Sequence, residues 1–272
     1  MKKRIIISLI GLGLIIGIFR VLSLGDQVAR VIFLDVGQGD AALIRTPEDK
    51  LILIDGGPDK TLLLELGKYL SFYERELEAV IISHWHDDHI VGLVEILLRF
   101  RVVKLIYPAG TEKNIITDLI IDLARQQGTE IIPLSSRGRL DFSQQCFMEL
   151  LNPLSLGAKE DGNNSLTSRL SCQGQKFLFS GDNELGAEEA LLKSNFNLLA
   201  EVFKASHHGS KTSNSQEFLE AVRPQVVVVS AGRNNRYNHP APVVLERFYQ
   251  LGLKVLRTDQ LGSIPIKISN FP

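Results

Sequence analysis

Three of the chain's six histidines fall within six positions, in the stretch "HWHDDH" from His84 to His89, beside Asp87 and Asp88. Neutral imidazoles and carboxylates are the ligands that zinc, manganese and iron take from proteins, and a loop at a strand end can turn several of them toward one point. His84 and His86 alternate with Trp85, so an extended backbone aims both rings the same way. Asp88 and His89, beyond a turn, face a second point a short distance away. A solvated polar loop explains the two aspartates but not three clustered histidines, so the spacing predicts a metal centre with room for two ions. Such a centre needs further ligands. "FLFSGDNE" ends an apolar run in Gly181 and Asp182, and "FKASHHGS" ends another in His207 and His208. Alone, an aspartate at a strand end is an ordinary turn former; with the first cluster, the three segments make a convergent set.

The elements that must position these side chains are legible as short apolar runs punctuated by Gly, Asp and Asn from Val31 onward, the alternation of strand and turn. "VIFLDV", "AALIRT" and "LILIDGG" are predicted strands, and "TLLLELGKYLSF" has helical period. "LEAVIIS" is a buried strand that stops at the histidine cluster, and "GLVEILLRF" returns to helix. A second strand-rich block, "CFMELLNP", "SLTSRLSC" and "KFLFSGD", precedes a mixed tail ending in "SIPIKI". This order predicts two similar halves, each a β-sheet with helices on its outer side. The expected fold is an α/β four-layer αββα sandwich in a single domain over 30–272, preceded by one N-terminal hydrophobic helix.

At 272 residues, 44% hydrophobic and a formal net charge of -1, the chain is neither disordered nor collagen-like nor stapled by many cysteines. Near-neutral charge gives no footprint of a dedicated duplex-DNA binder, but leaves room for a local basic strip that guides a single strand. Lys211, Arg233 and Arg236, with Asn234, Asn235 and Tyr237 interleaved, form such a strip, in which Tyr237 can stack on a base. The same residues also suit a plain solvated loop. Cys146 and Cys172 lie in apolar strand-like runs and are expected as buried free thiols. Residues 1–25 open with "MKKR", followed by an uncharged apolar run to Phe19, then Arg20 and "VLSLG". That segment spans about 30 Å as a helix, and the positive charge before it predicts a cytoplasmic N-terminus with the rest outside. Ser23 and Gly25 also supply a small-x-small pattern for signal-peptide cleavage before Asp26. The expected location is therefore membrane-anchored and extracytoplasmic, or secreted if the leader is removed.

"HWHDDH" resembles the HxHxDH signature of the metallo-β-lactamase superfamily, and "LILIDGG", with Asp55, resembles its upstream support motif. "FLDVGQGDAALI", "NNSL", "FLFSGD", "KASHHGSKTS" and "NRYNHP" are similar to the extracytoplasmic hydrolase domain of the ComEC family of DNA-uptake proteins and their stand-alone relatives. The resemblance runs from Val31 to Ser263. It implies that His84 and His86 ligate one metal and Asp88 and His89 a second, with Asp182 bridging and either His207 or His208 completing the second site. It further implies that Asp55 braces the histidine loop and that His239 lies at the mouth, contacting a substrate phosphate or passing a proton. Asp88 and His239 are accordingly the expected catalytic residues. Where many members of the superfamily supply a third histidine to the first metal, this chain has "GNNSL" with Asn163 and Asn164. Amide oxygen suits manganese or magnesium better than zinc, so the first site is expected to be weak or to favour a harder ion.

The cofactor expected is a divalent metal, two ions of zinc or manganese. The function implied is a phosphodiesterase or nuclease acting on DNA at the outer face of the membrane, with single-stranded DNA and a separate DNA-uptake channel as partners. The alternatives are an exported hydrolase of another substrate, such as cell-wall phosphodiesters, and a non-catalytic binding protein that keeps the fold.

Overall fold

The computed structural model describes residues 29–110, 114–152 and 165–268; the candidate leader and Asn163 and Asn164 lie outside them. The chain opens with β1 (Arg30–Phe33), β2 (Ala42–Arg45) and β3 (Leu51–Ile54), an antiparallel set in which Val31 faces Ile44 and Leu43 faces Leu53. Helix α1 (Thr61–Leu66) leads to β4 (Glu76–Ile81), α2 (Asp87–Arg99) to β5 (Arg101–Pro108), and α3 (Ile115–Gln126) to β6 (Glu130–Leu134). These crossovers make β3, β4, β5 and β6 parallel. The second half begins with the antiparallel strands β7 (Arg137–Asp141), β8 (Cys146–Leu151), β9 (Thr167–Cys172) and β10 (Gln175–Phe179). Parallel strands β11 (Val202–Lys204), β12 (Val226–Val229) and β13 (Lys254–Arg257) follow, linked by α4 (Leu185–Lys193), α5 (Gln216–Val222) and α6 (Pro242–Gln250). A short α7 (Thr258–Leu261) precedes β14 (Ile264–Lys267), which returns to pair with β1 in the first sheet.

The result is two seven-stranded mixed sheets, ordered β14-β1-β2-β3-β4-β5-β6 and β13-β12-β11-β10-β9-β8-β7. Their facing sides share one apolar layer, in which Val31, Phe33, Ile44 and Ile52 meet Met148, Leu170, Phe177 and Phe179. The outer side of the first sheet packs under α1, α2 and α3 through Leu53, Leu62, Leu93, Ile96 and Ile120. The second sheet packs under α4, α5 and α6 through Phe203, Leu191, Phe218, Val227 and Phe248. Because each sheet is covered on both faces, strands such as "LILI" are buried at every position rather than alternating. The expected layers are therefore present. Among the described residues no helix is long and apolar enough to cross a membrane.

Four details differ from expectation. The helix after the histidine cluster begins at Asp87, not Gly92, so Asp88 and His89 stand on its first turn; Asp87 and Asp88 there complement the positive end of the helix dipole. Helix α1 stops at Leu66, where Gly67, a poor helix former, takes the C-cap. Strand β7 was not expected, because Arg137–Asp141 carries a single apolar side chain and lies half exposed at a sheet edge. Cys146 and Cys172 are not free thiols. They stand directly opposite one another on β8 and β9 and form a disulfide within the buried inter-sheet layer.

Gly92 fixes how α2 meets the rest. A Cβ at this position would lie 2.1 Å from the Gly56 carbonyl oxygen and 2.7 Å from that of Asp59, so only glycine lets the helix touch the loop after β3. Gly92→Ala is expected to cost roughly 1–3 kcal/mol by overpacking and to weaken metal retention by displacing His89. An unchanged urea midpoint would contradict this packing.

Candidate metal centre

The ends of four strands deliver the site. After β3, Asp55 adopts a left-handed φ of 57°, and its carboxylate reaches under the loop that follows β4. Asp55 Oδ1 accepts the Ser83 backbone N–H at 2.7 Å, and Oδ2 accepts the Ser83 hydroxyl at 2.7 Å and lies 2.9 Å from His89 Nδ1. Extended backbone then places Trp85 in the core under the first sheet and brings the rings of His84 and His86 to 4.4 Å of each other. The Gly56 N–H donates to the His89 carbonyl at 2.6 Å, which ties the start of α2 to the Asp55 loop.

From the second sheet, β10 ends before Ser180, and Gly181, at φ 52°, turns the chain so that Asp182 enters the centre. A Cβ on Gly181 would fall 2.5 Å from Ser165 Cβ, which explains the glycine. Ser165 joins the two halves: its Oγ accepts the Asp182 N–H at 2.8 Å and lies 3.2 Å from His84 Nδ1. Beyond β11, His207 and His208 both adopt left-handed backbone, φ 48° and 53°. Two such residues in succession are strained without support. Support comes from Asn214, whose side chain accepts from Ser206 N and donates to Ser206 O, both at 2.9 Å. Buried Glu188 in turn accepts the N–H groups of Asn214 and Ser215 at 2.6 and 2.9 Å.

This turn sends the adjacent histidines to different places. His208 Nε2 lies 3.2 Å from Asp88 Oδ2 and 3.6 Å from Asp182 Oδ2. Its Nδ1 faces the Ser230 carbonyl at 3.0 Å, an acceptor only, so Nδ1 carries the proton and Nε2 is free to ligate. His207 is partly exposed, with Nε2 3.7 Å from Asp182 Oδ2 and Nδ1 3.2 Å from Glu184 Oε1. Asp182 Oδ2 is thus a common centre, 3.9 Å from His84 Nε2 and 3.4 Å from His89 Nε2 as well.

His84 Nε2, His89 Nε2 and Asp182 Oδ1 are buried and have no hydrogen-bond partner among the described residues. Buried polar atoms left unpaired are costly, and lone pairs converging from imidazoles and a carboxylate are satisfied by a cation. Ligand atoms of Asp88, His89, Asp182 and His208 all lie within 4.8 Å of one another, a group able to hold a divalent metal. His86 is exposed, at the solvent side of His84.

Burial drives His84 well below the usual imidazole range, with the neighbouring His89 adding to the effect, so it is a neutral donor. Burial works against protonation of His89 too, yet Asp182 and Asp55 outweigh it and hold His89 well above that range. Burial likewise opposes protonation of His208, and Asp182 and Asp40 push it up to about 9. For the metal-free protein the sign follows. A histidine raised from 6.5 to about 9 contributes stability that is fully present below 6.5 and lost as pH rises through about 9. The melting temperature of chelator-treated protein should therefore fall between those values, and a flat profile would contradict the pairing.

The segment 232–239 brings His239 beside His207 and His208. Asn235 organises it: its Oδ1 accepts from Tyr237 N at 3.2 Å and His239 N at 3.0 Å, and its Nδ2 donates to the carbonyls of Gly232 and His239. The Tyr237 and His239 rings stack at 5.8 Å, and His239 lies 5.5 Å from the His207 ring. Arg236 covers Tyr237 at 4.8 Å. Lys211 and Arg233 are exposed, the latter donating to the Asp259 carbonyl at 2.8 Å rather than facing the centre. Burial, then His208 and His207, push His239 down to about 4.

Several residues at the centre escaped the reading of the sequence: Ser83, Ser165, Glu184, Asn214, and above all Asp40 and Lys204, a buried ion pair behind the histidines. The only signal for that pair was a lysine closing the apolar run "VFK", because a buried lysine requires an anionic partner.

Residues 34–233 match the metallo-beta-lactamase superfamily. The chain belongs to that superfamily. The superfamily match takes in every ligand candidate from His84 to His208 and stops short of His239. ComE operon protein 3 of Bacillus subtilis is 31% identical over 255 residues, covering 87% of this chain and 33% of that protein. Competence protein ComA of Neisseria gonorrhoeae is 29% identical over 247 residues, covering 90% of this chain and 33% of that protein. The chain thus spans about a third of the length of these curated relatives. Among solved structures, Igni18, a metallo hydrolase from the archaeon Ignicoccus hospitalis, superposes with a TM-score of 0.59 at 18% identity, covering 88% of this chain and 100% of that one. That likeness is one of fold.

Proposed function

We propose that this metallo-β-lactamase-fold protein is a metal-dependent phosphodiesterase that cleaves DNA at the outer face of the membrane in the service of DNA uptake. The observation that carries hydrolysis is the convergence of His84, His89 and His208 Nε2 atoms on Asp182 Oδ2, at 3.4 to 3.9 Å, with unpaired buried lone pairs among them. Asp88, His89, Asp182 and His208 would hold one divalent ion, and His84 and His86, sharing Asp182, a second, looser one. When bound, zinc or manganese supplies a water of lowered pKa and neutralises charge developing on phosphoryl oxygens. The protein's own groups do the rest. Asp55 and Ser83 hold the histidine loop in register, a role of the kind that sets ligand orientation. His239, neutral near pH 7, offers a ring N–H to a phosphate oxygen. His207, not used as a ligand and with Nδ1 3.2 Å from Glu184 Oε1, is placed to protonate the leaving oxygen.

Support for DNA comes from the Arg236–Tyr237–His239 ladder, a cation and two stacked rings leading from solvent toward the centre. Such a ladder suits a single strand, phosphate on Arg236 and base on Tyr237. Relatives named for competence support the uptake setting. The buried disulfide supports export, since such bonds persist in oxidising compartments. A membrane leader and a separate channel protein complete the proposed setting.

A substrate panel tests this reading. Full-length protein, stripped of metal and reloaded with manganese or zinc, is expected to cleave single-stranded DNA and a chromogenic phosphodiester and to leave a β-lactam intact. Hydrolysis of the β-lactam alone would overturn it. Tyr237→Ala should raise KM for single-stranded DNA about tenfold, the worth of one stacked base, without changing KM for the chromogenic diester. Equal changes on both substrates would remove the base-stacking role.

A further inference from the structure

Asp40 stands in the turn between β1 and β2 of the first sheet, and Lys204 ends β11 of the second. They are 6% and 3% exposed, and Lys204 Nζ forms an ion pair with Asp40 Oδ2. The other carboxylate oxygen, Oδ1, lies 3.2 Å from His208 Nδ1, and Oδ2 lies 3.9 Å from His89 Nδ1. One buried carboxylate therefore lies behind two of the four imidazoles whose Nε2 atoms face Asp182, those of His89 and His208. The Asp40 backbone also engages the centre: its N–H donates to the Asp88 carbonyl at 3.2 Å, and its carbonyl accepts from Gly57 N at 2.8 Å. Gly39 permits this approach, since a Cβ there would sit 2.3 Å from the Asp88 carbonyl oxygen.

Resting on the metal-centre reading above, we propose that Asp40 and Lys204 are a positioning pair that fixes His208 for metal binding across the two sheets. Two observations set this apart from a purely structural ion pair. His208 Nδ1 already has the Ser230 carbonyl at 3.0 Å, so hydrogen-bond satisfaction alone does not call for a carboxylate. Fully buried ion pairs, moreover, are commonly replaced by apolar groups without loss of stability. What a carboxylate adds at the back of a ligating imidazole is orientation and basicity. Asp55 is hydrogen-bonded to His89 Nδ1, and Asp40 Oδ1, which has no other hydrogen-bond partner among the described residues, is set 3.2 Å behind His208 Nδ1 for the same purpose. Lys204 supplies the counter-charge that a buried carboxylate requires. It also ties the turn carrying Asp40 to the strand that leads into the His207–His208 turn. The pair thereby couples the stacking of the sheets to the separation of Asp88 on one and His208 on the other.

The test uses the full chain and its Asp40→Asn/Lys204→Met variant, comparing zinc affinity by chelator competition, the visible spectrum of the cobalt-loaded protein and the melting temperature without metal. The expected result is a melting temperature close to wild type, zinc affinity lower by roughly 10–100-fold and shifted cobalt ligand-field bands. Asp40→Asn alone, which strands the buried lysine, should lower the melting temperature as well. If the double variant does not fold, Asp40→Asn/Lys204→Gln carries the same measurements and expectations. Wild-type zinc affinity and an unmoved cobalt spectrum in a folded double variant would overturn the pair's role while leaving the metal centre intact. Failure of the wild-type protein to take up zinc, cobalt or manganese would overturn both.

Discussion

Asp182→Ala is expected to lower turnover on a chromogenic phosphodiester by on the order of a thousand-fold or more, about 4 kcal/mol of lost transition-state stabilisation. Among the described residues no other side chain approaches four imidazoles at once: Oδ2 lies 3.9, 3.4, 3.7 and 3.6 Å from His84, His89, His207 and His208 Nε2. Burial pushes the Asp182 carboxyl up, but His208 and His89 beside it hold it well below the usual carboxylate range, so it is an anion at every working pH. Alanine removes the shared anion and leaves His89 and His208, both held above the usual imidazole range, with Asp88, Asp55 and Asp40 as their remaining carboxylate neighbours. Metal content, read by atomic absorption after dialysis, should fall together with turnover. Retention of both within threefold of wild type would mean that the centre lies elsewhere.

The second large effect concerns the fold. Cys146 and Cys172 close a loop of 26 residues between neighbouring strands at the base of the inter-sheet layer. Cross-links of that span are worth roughly 3–4 kcal/mol through the unfolded chain. Cys146→Ala/Cys172→Ala should lower the unfolding free energy of metal-free protein by about that amount in urea, while the metal affinity of the folded fraction stays unchanged, since neither cysteine touches the centre. A loss below about 1 kcal/mol would show that the bond contributes little beyond the packing already present.

What could be read from the sequence divides along physical lines. The layered architecture was legible because covered sheets demand continuous apolar runs and crossover helices demand a 3.6-residue period. Edge strand β7 was not, because exposure leaves it no apolar signature. The clustering of His84, His86, Asp88 and His89 was visible as spacing, and Asp182 as a carboxylate at a strand end. The separate paths of His207 and His208 depend on two consecutive left-handed residues held by Asn214, and no residue type announces that backbone. The Cys146–Cys172 bond depends on the register of β8 with β9, and the Asp40–Lys204 pair joins positions 164 residues apart. Both arise only once strands have been paired or sheets stacked, a property of the whole chain rather than of any stretch of it.

The most direct measurement is the rate at which full-length protein, stripped by chelator, cleaves end-labelled single-stranded DNA as manganese or zinc is titrated back, with Asp88→Ala/Asp182→Ala run alongside. Cleavage that is absent without metal, returns as the ion is added and stays absent in the double variant is the predicted result. Cleavage by the double variant at the wild-type rate, or no cleavage at any concentration of either metal, would contradict the assignment of this centre as a metal-dependent phosphodiesterase.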